Sequence, residues 1–124
     1  MIQNRALFQF KPFSKKQKQI LTWWLPESPV NGCNGIIADG AIRSGKTVSM
    51  ALSFVLFAMH NFEYKNFAMC GKTIGSFRRN VLAVLKNMLL SRGYILEEHR
   101  SDNMIEIKRN GVINYFYIFG GKDE

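Results

Sequence analysis

No stretch of these 124 residues is long and apolar enough to span a bilayer: the most apolar run, Val48 to Met59, is short and is interrupted by Ser49 and Ser53. Met1 to Phe10 mixes polar residues throughout and has no apolar core, so no secretory signal is read there. Cysteine is scarce. Cys33 and Cys70 stand far apart without metal-ligand spacing, and are expected to be buried free thiols in a reducing cytoplasm rather than a bridge. No internal repeat and no low-complexity segment is present. Acidic residues are few, 9 Asp and Glu against 17 Lys and Arg, for a net charge of +8. That balance favours a polyanionic partner, nucleic acid first among them. Because the basic residues are dispersed, a set of solvated helix faces is the competing reading. A soluble cytoplasmic protein without a membrane segment is expected.

What is present is a phosphate-binding motif. Gly40-Ala41-Ile42-Arg43-Ser44-Gly45-Lys46-Thr47 reads G-x-x-x-x-G-K-[ST], the P-loop or Walker A pattern, with every fixed position filled. Gly40 and Gly45 let the backbone bend so that successive N–H groups cradle phosphate oxygens. Lys46 supplies a point charge to the β- and γ-phosphates of ATP, and Thr47 offers a hydroxyl to Mg²⁺. Gly35 to Asp39 before the motif reads as a short buried strand, and Val48 to Met59 after it as a helix whose positive dipole end adds to the site. Strand, glycine loop, helix is the context the motif requires.

Along the rest of the chain, residues 1–13 read as an irregular arm. Ser14 has the form of a helix N-cap, with Gln17 completing a capping box, and that helix is expected over Lys15 to Leu25, stopping before Pro26. Pro26 to Asn34 is a loop. Phe67 to Cys70 reads as a second strand ended by Gly71-Lys72-Thr73. A helix follows over Ile74 to Ser91, with Phe77, Val81, Val84, Leu85 and Met88 directed inward and Gly93 at its C-terminal cap. Three strand-like runs come next: Tyr94 to Glu98, Met104 to Arg109 and Val112 to Phe119. Asn110-Gly111 between the last two is a type I′ hairpin signal. The expected fold is α/β: a P-loop NTPase core of parallel strands with helical crossovers, plus a C-terminal antiparallel β-hairpin.

A second acidic element is missing. A working P-loop NTPase needs a Walker B strand ending in Asp-Glu, to hold the Mg²⁺ shell and polarise the attacking water. Asp39 sits just before the P-loop, Glu97-Glu98 end a hairpin-edge run, and Asp123-Glu124 follow glycines. None has the right setting. The chain is therefore expected to be the N-terminal part of a longer ATPase, with phosphate binding encoded and hydrolysis not.

The segments Gly35 to Thr47, Phe67 to Thr73 and Ser76-Phe-Arg-Arg-Asn-Val resemble the large terminase subunit of tailed bacteriophages, the PBSX-type prophage terminases above all. Tyr115 to Glu124 is similar to the stretch that precedes Walker B in that group. The resemblance runs from about Phe13 to Glu124. It implies an ATP-driven motor that pumps double-stranded DNA into a capsid in the bacterial cytoplasm. Its partners would be a portal protein, a small terminase subunit and further copies of itself, and its separate nuclease domain would lie outside this chain. It assigns Gly40, Gly45, Lys46 and Thr47 to the nucleotide loop and makes Gln17 similar to the glutamine that reads adenine. Gln17 as a capping residue stands beside that reading. Many terminases carry an arginine four residues before the lysine. Ile42 holds that place here, and Arg43, one place later, is the candidate for neutralising charge on the γ-phosphate. Arg78 and Arg79 are open to three readings: contact with DNA phosphates, contact with a neighbouring subunit's nucleotide, or a solvated helix start.

Two further functions stay open at this point. The chain can be read as another P-loop NTPase, helicase-like or a small-molecule kinase, or as a truncated prophage remnant without activity.

Overall fold

The computed structural model describes residues 13–33 and 46–121, Lys46 by its backbone alone. Outside the described residues lie all but Phe13 of the arm, the strand expected at 35–39, the loop residues Gly40 to Gly45, and Lys122 to Glu124. The chain divides into two compact units, residues 1–56 and 57–124, and the division falls inside a helix.

In the first unit, helix α1 spans Lys15–Thr22. Its start is a complete capping box: the Gln17 amide N–H donates to Ser14 Oγ at 3.2 Å, and the Ser14 N–H donates to Gln17 Oε1 at 2.9 Å. The helix ends three residues short of the expected Leu25. Pro26 pushes the residue before it out of helical geometry, and the chain relaxes into tight turns, with the Leu25 N–H donating to Thr22 O and the Ser28 N–H to Leu25 O. Helix α2 spans Lys46–Asn61. Ser49, Leu52, Val55 and Met59 recur along it at spacings of three and four, and all are buried, as one face of a helix requires.

The second unit holds a four-stranded mixed sheet. Its strands are β1 (Asn66–Gly71), β2 (Ile95–His99), β3 (Met104–Arg109) and β4 (Val112–Gly120), in the spatial order β1-β4-β3-β2. β1 runs parallel to β4, and the other two pairings are antiparallel. β3 and β4 are joined by Asn110 and Gly111, whose φ angles of 51° and 84° are the two positive values a type I′ turn demands. Alternation then sorts the faces. Met69, Ile105, Ile107, Phe116 and Ile118 make the buried face, while Tyr115, Tyr117, Glu106 and Lys108 lie half-buried on the other.

The helix between β1 and β2 is interrupted. It runs as α3 (Ile74–Phe77), a π-helical turn (Arg78–Leu82) and α4 (Ala83–Leu90). The Ala83 N–H donates to Arg78 O, five residues back, so one extra residue is wound into that turn. Val84, expected inward, is 37% exposed, and Leu82 and Leu89 are buried beside Leu85 and Met88. At the helix end Gly93 has φ +88°, its N–H donates to Leu90 O, and Arg92 Nη1 donates to Met88 O at 3.0 Å.

The thiols are not where the composition suggested. Cys33 and Cys70 are both exposed free cysteines. Cys33 ends the series of turns after α1, and Cys70 falls on the exposed side of the β1 alternation, together with Asn66 and Ala68.

Candidate nucleotide-binding site

Of the predicted phosphate-binding residues, the described structure contains the start of α2. Lys46 opens the helix and Thr47 follows, exposed, in its first turn. No acidic residue stands in that turn, so the N–H groups and the positive dipole end are not offset by a neighbouring carboxylate on the helix. A single exposed hydroxyl is a fitting donor for Mg²⁺, which takes few protein ligands and keeps its waters and substrate phosphates. Gly40, Ala41, Ile42, Arg43, Ser44 and Gly45 lie outside the described residues.

Gln17 sits on α1 in the same unit. Its Oε1 is engaged by the Ser14 N–H, so the capping reading of this residue is realised, and its Nε2 makes no hydrogen bond to the described residues. One turn further along, Ile20 meets α2: Ser53 Oγ donates to Ile20 O at 2.7 Å, with Ser53 2% exposed. This bond holds the helix that carries Gln17 against the helix that carries Thr47. Sequence reasoning passed over Ser53 as a polar interruption of an apolar run; a serine on the buried stripe of a helix was the available signal. A cleft of about 450 Å³ in this unit is lined by Leu25, Pro29 and Val30 together with Gln19, Thr22, Glu27 and Ser28, none of them a predicted site residue.

In the second unit, the C-terminal ends of the parallel strands β1 and β4 are drawn together. The Gly121 N–H is shared between Gly71 O at 2.9 Å and Lys72 O at 3.0 Å. Thr73 then caps α3, its Oγ1 accepting from the Ser76 N–H at 3.1 Å. Of the two arginines that follow, Arg79 is exposed, as a solvated helix position should be. Arg78 is not simply solvated: its Nη2 donates to Asn103 Oδ1 at 3.0 Å, across to the turn between β2 and β3. Asn103 adopts φ 50° to complete that turn. Glu98 faces Lys86 at 3.2 Å and Arg100 at 3.5 Å, a paired carboxylate rather than one waiting for a cation. Among the described residues no helix is long and apolar enough to cross a membrane.

No protein-family model and no curated protein matches the chain. Solved structures do. The large terminase from a thermophilic bacteriophage is 57% identical, with a TM-score of 0.88 over 92% of this chain. The chain belongs with the bacteriophage large terminases. Two further structures of that terminase, in complex with ADP and with ATP-gamma-S, match at 57% and 56% identity with TM-scores of 0.86, each over 90% of this chain. The chain spans 28% of the length of these terminases.

Proposed function

We propose that this chain forms the nucleotide-binding part of a DNA-packaging ATPase, whose ATP hydrolysis drives double-stranded DNA into a viral capsid. The observation that carries the reading is a complete Walker A motif, Gly40 to Thr47, in a chain 56–57% identical to a terminase solved with ADP and with ATP-gamma-S. The backbone of Gly40, Ala41, Ile42, Arg43, Ser44 and Gly45 wraps the phosphates. Lys46 would neutralise charge on the β- and γ-phosphate oxygens, and Thr47 would hold Mg²⁺, which would supply further positive charge to the triphosphate. Arg43 adds positive charge where the γ-phosphoryl group departs. Gln17, whose Nε2 is left over from the capping box, reads the adenine edge. In the reaction water attacks the γ-phosphorus, the β–γ bridge breaks, and ADP and phosphate leave. The acidic pair that would polarise that water is not read in these residues, so binding is the property assigned to this segment. The same reading places the motor at the portal of a procapsid in the host cytoplasm, with a portal protein, a small terminase subunit and further copies of itself as partners.

The test is Lys46→Ala in the complete protein, with ATP binding followed by equilibrium fluorescence of a labelled nucleotide. Loss of binding is expected, and binding equal to the parent protein rejects the proposal. DNA-stimulated ATP turnover by the complete protein separates a packaging motor from a small-molecule kinase.

A further inference from the structure

The less buried face of the β2–β3 pair carries a cluster that nucleotide chemistry does not use. Glu97 on β2 stands directly opposite Glu106 on β3, and His99 lies two residues along β2, on the same face. His99 Nε2 is 3.6 Å from Glu106 Oε1 and 3.9 Å from Glu97 Oε2, and the three groups offer ligand atoms all within 4.8 Å of one another.

Two features set this apart from ordinary surface charge. Like charges directly opposed across an antiparallel ladder are destabilising unless something lies between them. In addition, His99 Nε2 is itself shielded from solvent and has no hydrogen-bond partner, although the side chain as a whole is 35% exposed. Both carboxylates stand beyond the roughly 3.2 Å reach of an N–H···O bond. Lys108 approaches Glu106 through its other oxygen, with Nζ 3.6 Å from Oε2, which leaves Oε1 facing the imidazole.

We propose that Glu97, His99 and Glu106 form a binding site for a transition-metal ion of the zinc class. Zinc takes nitrogen and carboxylate oxygen at about 2.0–2.2 Å in tetrahedral geometry, so neighbouring ligand atoms stand roughly 3.4 Å apart. The observed 3.6 and 3.9 Å separations exceed that by a few tenths of an ångström. Glu97, the most exposed of the three side chains at 59%, is free to close the difference by rotation. An imidazole donor suits zinc and its neighbours in the transition series, whereas Mg²⁺ and Ca²⁺ select oxygen alone. Three protein ligands leave a fourth position for water. Bound there, the cation neutralises the opposed carboxylates and clips β2, at the edge of the described sheet, to β3.

The experiment uses the 124-residue chain with Cys33→Ser and Cys70→Ser, which removes the exposed thiols as competing ligands. Zn²⁺ binding is measured by calorimetry, and Co²⁺ binding by its visible d–d absorption. One ion per chain is expected, with affinity at least tenfold weaker in His99→Gln and in Glu106→Gln and unchanged in His60→Gln. Equal affinity in the parent and His99→Gln overturns the site, and so does a parent that binds neither ion saturably. Should His99→Gln fail to fold by circular dichroism, Glu97→Gln carries the same comparison from the most exposed ligand. Loss of the tetrahedral cobalt spectrum is the readout that a purely structural role would not produce.

Discussion

Ser53 donates its hydroxyl hydrogen to the carbonyl oxygen of Ile20 at 2.7 Å, joining the two helices on which the adenine and phosphate readings rest. Ile20 lies in the last turn of α1, where carbonyl groups lack partners within the helix. Ser53→Ala leaves that oxygen without its partner and should lower stability by about 1–2 kcal/mol. Urea unfolding of the chain checks this. If the bond also holds the nucleotide-binding helices together, ATP affinity of the complete protein falls in the same variant, and Ser53→Thr restores it in part.

Asn114 is fully buried on β4 and serves both ends of the connection between α2 and β1. Its Oδ1 accepts from the Lys65 N–H at 2.9 Å, and its Nδ2 donates to Phe62 O at 2.9 Å and lies 3.4 Å from Ala58 O. Asn114→Ala takes the partner from the Lys65 N–H and the Phe62 carbonyl at once and leaves a cavity at a fully buried site, and should cost about 1–3 kcal/mol. Asn114→Asp keeps the acceptor and should still be strongly destabilised, since it replaces the amide donor with a buried charge. Chemical denaturation of both variants is the measurement, and two curves that superimpose on the parent's would contradict the role.

Gly71 has no room for a side chain. A Cβ placed on it would stand 2.9 Å from the Cβ of Phe77 and 3.2 Å from its Cδ1. Gly71→Ala forces β1 and α3 apart and should destabilise by about 1–3 kcal/mol. Phe77→Gly removes that Cβ, while opening a cavity and weakening the helix, so the double variant should be less destabilised than the two single effects added together. Strict additivity would mean the clash is not the cause.

Cys33 and Cys70 are exposed and free. Both should react with a thiol reagent in the native protein, at two equivalents per chain without denaturant. A buried pair would react only on unfolding, and labelling kinetics in buffer and in urea distinguish these outcomes.

The local elements were largely legible in the order of residues. Ser14 and Gln17 announce the α1 start because a capping box needs only residues three apart, and Asn110-Gly111 announces a tight turn because few residues tolerate two successive positive φ values. The alternation of β3 and the apolar stripe of α2 are periodic signals of the same short range. Two details did not follow from local pattern: α1 ends at Thr22 rather than at Leu25, and the helix after β1 holds a π-helical turn at Arg78–Leu82, with Val84 exposed beyond it.

The candidate site divides in the same way. Gly40, Gly45, Lys46 and Thr47 are legible as a Walker A pattern because the phosphate cradle that such a pattern encodes is built from consecutive residues. Ser53 with Ile20, Asn114 with Phe62 and Lys65, and His99 with Glu106 had no such pattern. Each joins residues brought together only by strand register or by helix packing. Sequence by itself determined the Walker A pattern and most of the elements, because both depend on residues within a turn or two of one another. Tertiary structure alone decided which buried polar groups find partners, which cysteines meet solvent and which carboxylates face a histidine.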